Sequence, residues 1–149
     1  MQEPSRTRLP QDRRGVTRRF KIGSLKGYFT VNEVVLNGKP MPVEIFMYLA
    51  KTGGALHAFM DMTALLASMC LQYGVPLEKL CSKFIGWRFE PYGYVENSPD
   101  IKYAYSVADY VFRWLAIRYL GKTWLREFDK VAVVRAALRP VDDGDDSET

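Results

Sequence analysis

FKIGSLKGYFTVNEVVLNGKPMPVEIFMYLA, residues 20–50, is a run of β-branched and aromatic side chains broken twice, by GSLKG and by NGKP. Such residues suit a pleated, half-buried surface. The run therefore predicts a short strand, a turn, and a hairpin of two longer strands. Asn37-Gly38 is the pivot, because both residues tolerate the positive φ of a tight hairpin turn. On the returning strand Val43, Ile45, Met47 and Leu49 alternate with Glu44, Phe46 and Tyr48. A period of two puts the first set on a buried face and leaves the second partly aromatic and partly wet.

A sheet this small needs a covering layer, and the sequence that follows supplies helices. After KTGG, the residues Leu56, Phe59, Met60, Thr63, Leu66, Ala67, Cys70 and Leu71 recur at spacings of three and four up to Gly74 and Pro76. They predict an inward helical stripe. PLEKLCSKFIG predicts a short second helix with Leu77, Leu80, Cys81 and Phe84 inside. Ser98 and Pro99 suit the start of a third helix, which would carry Ile101, Ala104, Tyr105, Ala108, Val111, Phe112, Leu115 and Tyr119 on one side. A fourth amphipathic helix runs through Trp124, Leu125, Phe128, Val131, Val134 and Leu138 to Pro140. The expected fold class is α+β: a small antiparallel sheet of about three strands followed by about four helices packed on one face.

The 149 residues suit one domain. Their 48% hydrophobic and 26% charged content is that of a soluble globular chain. The apolar run ALLASMCL, residues 64–71, is too short to span a bilayer. The arginines of the N-terminus have no apolar segment behind them, so no secretory signal is read and a cytoplasmic location is expected. Cys70 and Cys81 sit in apolar helical context and read as reduced core thiols. Charge is segregated. Residues 1–21 hold seven basic side chains against Glu3 and Asp12, while the last eight residues, DDGDDSET, hold five carboxylates and no base. The expected organisation is a disordered basic arm over 1–17, a single domain over 18–140 and a disordered acidic tail over 141–149. Arg13, Arg14, Arg18 and Arg19 are phosphate-contact candidates, since clustered arginines neutralise phosphate charge.

Motifs for autonomous chemistry are few. The chain has no GxxxxGK[ST], no GxGxxG and no CxxC. Thr52 opens a TGG that could hold an anion at a helix N-terminus. Asp61 is the one charge on the first apolar helix, where a carboxylate is a ligand or an acid, or else simply faces solvent. His57 is the only histidine and sits one turn into the same helix. Catalytic residues and metal ligands are expected to be none. An independent enzyme built on His57 and Asp61 is the weakest of the available readings.

The segments TRRFKIGSLKGYFTV, LQYGVPLEKL, GWRFEPYGY and DYVFRWL carry a resemblance. In that order they resemble the region that follows the catalytic barrel in adenosylcobalamin-dependent (class II) ribonucleotide reductases, over about Thr17 to Gly121. Two motifs depart from the family pattern: KTGG stands where the family has KEGS, and Tyr92 where it has a serine. The reductases' catalytic cysteines belong to their barrel and to a cysteine-rich tail. The resemblance thus implies a stand-alone accessory domain in deoxyribonucleotide synthesis, with adenosylcobalamin on a partner catalytic subunit and no cofactor bound by this chain.

The loop GWRFEPYGY is then expected to anchor Trp87 and Phe89 in the core. Arg88 and Glu90 would alternate outward, pairing with each other or facing a partner. Arg88, Glu90, Tyr92, Asp61 and Thr52 are the partner- or ligand-binding candidates. The alternative is a small nucleotide- or nucleic-acid-binding protein that uses the basic arm, with Tyr92, Tyr94 and Tyr103 as stacking surfaces.

Overall fold

The computed structural model describes residues 3–50 and 54–138. Thr52 and the acidic tail lie outside them. Strands β1 (Arg14–Ile22), β2 (Leu25–Leu36) and β3 (Lys39–Ala50) form an antiparallel sheet in the order β1-β2-β3. The expected hairpin turns at Asn37 and Gly38, whose φ values are 52° and 77°, the pair of positive φ angles that a type I′ turn requires. Phe20, Ile22, Leu25, Phe29, Val31, Ile45, Met47 and Leu49 are buried on one face. Each such side chain contributes about 1.5–3 kcal/mol relative to exposure. β1 begins at Arg14, upstream of the expected Phe20. Arginine can occupy an inward position there because the Arg18 guanidinium meets Tyr110 Oη at 3.2 Å and the Asn97 carbonyl at 2.8 Å.

The edge of β3 would be left with unpaired amides, a liability in any sheet. Helix α1 (Ala55–Gln72) covers it with side chains. The Ile45 amide donates to Ser68 Oγ at 2.8 Å, Gln72 Nε2 donates to the Val43 carbonyl at 3.0 Å, and His57 Nδ1 accepts from the Leu49 amide at 3.4 Å. The inward face of α1 is consequently Met60, Ala64, Ala67, Ser68 and Gln72. This corrects the expected stripe, since Phe59 and Leu66 are more than half exposed. A helix that is apolar on all sides offers no contrast by which to choose a face.

Helix α2 (Leu77–Phe84) buries Leu77, Leu80 and Cys81 as expected. A loop then carries two short paired strands, β4 (Gly93–Tyr94) and β5 (Tyr103–Ala104), before α3 (Val107–Leu115), a π-helical turn (Ala116–Leu120) and α4 (Lys122–Leu138). The third helix therefore starts at Val107, well after Ser98 and Pro99. Residues 93–104 instead pair as β4 and β5, and Val95 bridges to Ile22 of β1. The fold is mixed α+β, a three-stranded antiparallel sheet followed by four helices. Its core centres on Tyr110, whose ring lies 5.3 Å from Phe20 and 6.2 Å from Phe29.

Candidate functional site

The loop between α2 and α3 is held from below by one buried carboxylate. Ser106 caps α3: its Oγ accepts from the Asp109 amide at 3.0 Å and donates to the Trp87 carbonyl at 2.7 Å. The Asp109 side chain, wholly buried, turns back and accepts from the Gly86 amide at 2.7 Å and the Tyr105 amide at 3.1 Å. Arg113 Nε, one turn on, donates to Asp109 at 2.9 Å, and its Nη1 reaches both oxygens of Asp129 on α4. Burial works against the Arg113 charge, but Asp129 and Asp109 outweigh it and hold its pKa above the ordinary value. Two loop amides and α3 are thus joined through Asp109, and Arg113 carries the link on to Asp129 of α4. Asp109 itself is closed to solvent while Asp129 is 42% exposed, and the cluster positions the loop.

On that loop the outcome differs from the expected anchoring. Phe89 is half-buried against the core, but Trp87 is 60% exposed. The indole is kept at the surface because Nε1 donates to the Lys83 carbonyl at 2.7 Å. Arg88 and Glu90 are both exposed. The Arg88 guanidinium lies over the Tyr92 ring, 4.5 Å from its centroid, a cation–π contact; of the two expected alternatives, pairing with Glu90 or facing a partner, the pairing is not made. Tyr92, the departure from the family serine, is what makes that contact available.

The four arginine candidates do not converge. Arg13 pairs with Glu44 at 3.1 Å. Arg18 points inward as described above, and Arg14 faces Glu33 across the β1–β2 register. Arg19 lies on the open face of the sheet, opposite Tyr28. Glu33 is itself gripped by Arg118 at 2.8 Å and by the Tyr119 hydroxyl at 2.7 Å. Burial raises its pKa, but the bonds from Tyr119 and Arg118 prevail and hold it below the usual carboxylate range. Asp61 is exposed on α1. Burial, helped by Glu78, pushes the Cys81 thiol up to about 12, so it is a packed, protonated thiol. Both cysteines are unpaired thiols.

The outer face of α1 is apolar and exposed. On α1 the residues Phe59, Met62, Leu65, Leu66 and Met69, with Tyr73 at its C-cap, are 42–64% exposed. Their spacings of three and four make one outward stripe. Patches of this kind on a soluble protein mark interaction surfaces. This helix is also long and apolar enough to cross a membrane by length and composition, a property that the run 64–71 alone did not reveal. Its Ser68 and Gln72, however, are committed to the edge of β3.

The three-stranded sheet, the apolar helix at its edge and the clamped loop before the third helix all fall within a stretch that matches the TSCPD domain family. The model of that family matches residues 3–119, and the chain belongs to it. More particularly, the chain is 43% identical over 117 residues, 78% of its length, to the vitamin B12-dependent ribonucleotide reductases of Streptantibioticus cattleyicolor and Streptomyces avermitilis, of which it covers 19% and 12%. It is 41% identical over 119 residues to the enzyme of the same name from Rhodopirellula baltica, covering 11% of it. The chain spans about a tenth to a fifth of the length of these relatives. No solved structure matches it.

Proposed function

We propose that this chain is an accessory module of vitamin B12-dependent ribonucleotide reduction, acting in the cytoplasm and docking on a catalytic subunit through the outer face of α1. The observation that carries the reading is the 43% identity to a small segment of these reductases. In such enzymes the segment works beside a much larger body. The apolar stripe of α1 is the surface on this domain suited to meet one, because it is contiguous and carries no charge. Burying Phe59, Met62, Leu65 and Leu66 against a partner at about 25 cal/mol per Å² would provide several kcal/mol of gross driving force, against which association costs are set. Arg88, Tyr92 and Trp87, exposed on the clamped loop, are the second docking element, of a composition enriched at interfaces.

We assign adenosylcobalamin to the partner in this reading, because the chain covers only 19% and 12% of the vitamin B12-dependent relatives and most of each lies outside this segment.

The test is a pull-down of the tagged chain from native lysate with mass spectrometry, alongside Leu65→Glu. Recovery of a ribonucleotide reductase subunit by the wild type and its loss in the variant are expected. A folded wild type that recovers no reductase subunit would overturn the proposal.

A further inference from the structure

The second face of the sheet is also uncovered, and its chemistry differs from that of α1. Side chains two apart on a strand share a face, and the register lines up neighbours across strands. On the open side one row reads Arg19, Tyr28, Tyr48 and the next reads Lys21, Lys26, Ala50. Tyr28 and Tyr48 are stacked, with centroids 5.2 Å apart and planes 25° from parallel, yet both remain more than 40% exposed.

The sheet also continues beyond β1. The Glu96 amide donates to the Lys21 carbonyl at 3.1 Å and the Gly23 amide to the Tyr94 carbonyl at 3.2 Å, with Ile22 and Val95 bridged between them. Ile22 and Val95 point into the core, so Tyr94 emerges on the open side, where it is 79% exposed. Its cross-strand neighbour Tyr103 meets it edge-on at 5.4 Å.

Five strand positions at about 4.8 Å each make a platform about 20 Å wide. Aromatic rings lie at both ends and cations lie between them. A hollow of about 420 Å³ lined by Arg19, Lys21, Lys26, Tyr28 and Tyr48 lies within it. Lys21 pairs with Glu96 at 3.4 Å, while Arg19 and Lys26 make no ion pair among the described residues.

We infer that this open sheet face binds single-stranded nucleic acid, with bases stacking on Tyr28, Tyr48 and Tyr94 and phosphates meeting Arg19 and Lys26. Rings presented on a flat sheet can stack only on bases that are already unpaired, and cations interleaved with them follow the backbone. Duplex, whose bases are occupied with each other, is disfavoured for the same reason. The inference does not depend on the docking proposal, since it uses a different face.

Fluorescence anisotropy with a short labelled oligothymidylate tests it. Saturable binding that weakens steeply with salt is expected, because each neutralised phosphate adds about 0.7 to the slope for single strands. Tyr28→Ala and Tyr94→Ala should each weaken binding by about tenfold, within the range for loss of one stacked base. Lys26→Gln should lower the salt slope by about 0.7, and Leu65→Glu on α1 should leave affinity unchanged. Absence of saturable binding at low salt would overturn the inference, as would equal affinity for duplex. So would equally tight competition by free thymidine triphosphate, or binding unaltered by both tyrosine variants. Tyr94 is far enough into solvent that its variant keeps the test valid even if Tyr28→Ala perturbs folding.

Discussion

Helices α1 and α3 are similarly apolar in sequence and meet opposite fates. Seven of the nine residues of α3 are buried, including a carboxylate, Asp109. Five of the eighteen residues of α1 are buried, and two of those are Ser68 and Gln72. The charged residue is inside the one and the large hydrophobes are outside the other. Burial here follows hydrogen-bonding demand as much as hydropathy: Asp109 is inside because two loop amides and Arg113 need an acceptor, and Ser68 because the edge of β3 needs one.

The comparison breaks most severely at Asp109. Asp109→Ala leaves Arg113 half-buried without one of its two carboxylates and leaves the Gly86 and Tyr105 amides without theirs. Removing one partner of a buried pair costs about 3–5 kcal/mol. For a chain of this length that is a fall of about 10 °C or more in Tm, readable in a thermal melt. A melt unchanged within error would mean that the clamp does not hold the loop. On α1 the corresponding polar contact is Ser68. Ser68→Ala deprives the Ile45 amide of its acceptor and should cost about 1–3 kcal/mol, measured by urea unfolding. A loss of less than half a kcal/mol would show that water replaces the hydroxyl at the strand edge.

What was legible in the sequence follows the same division. The hairpin about Asn37-Gly38 and the alternation from Val43 to Leu49 could be read directly, because a period of two with a turn residue admits one solution. The phase of α1 could not, because apolar residues surround it; only Ser68 and Gln72, polar residues in an apolar helix, hinted at which side had amides to satisfy. Ser98-Pro99 has the composition of a helix entry, yet α3 starts at Val107. Ser106 followed three residues later by Asp109 has the spacing of a cap that engages its own helix, and was the better signal. DYVFRWL carried the family resemblance, and its Asp109 and Arg113 are framework residues of the clamp. Which hydrophobes of α1 face solvent was not legible, since exposure depends on what the rest of the fold leaves uncovered.

A smaller effect separates the two sides of the sheet by pH. Glu33 has its pKa held low in the folded state. The stability it contributes is present above the unfolded carboxylate pKa and is lost as pH falls through the folded value. Glu33→Gln should therefore cost about 1 kcal/mol at neutral pH, discounted for the part-exposed Arg118, and the difference from wild type should shrink as the solution is acidified. Urea midpoints at neutral and acidic pH read this directly. A gap that widened toward acid would reverse the sign and remove Glu33 from the acid response.

The smallest effect on stability is expected where the largest hydrophobes are. Leu65 is 62% exposed and its neighbours on the outward stripe already contact water, so Leu65→Glu removes little burial on folding. Surface substitutions away from specific contacts stay within about 0.5 kcal/mol. The replacement also puts a carboxylate one turn from Asp61, a like-charge pair of a few tenths of a kcal/mol. An unchanged melting curve together with lost reductase recovery would place the function of that stripe between molecules. A drop of several kcal/mol would place it within one, with α1 packed against something in the isolated chain, and the contrast between the two helices would disappear.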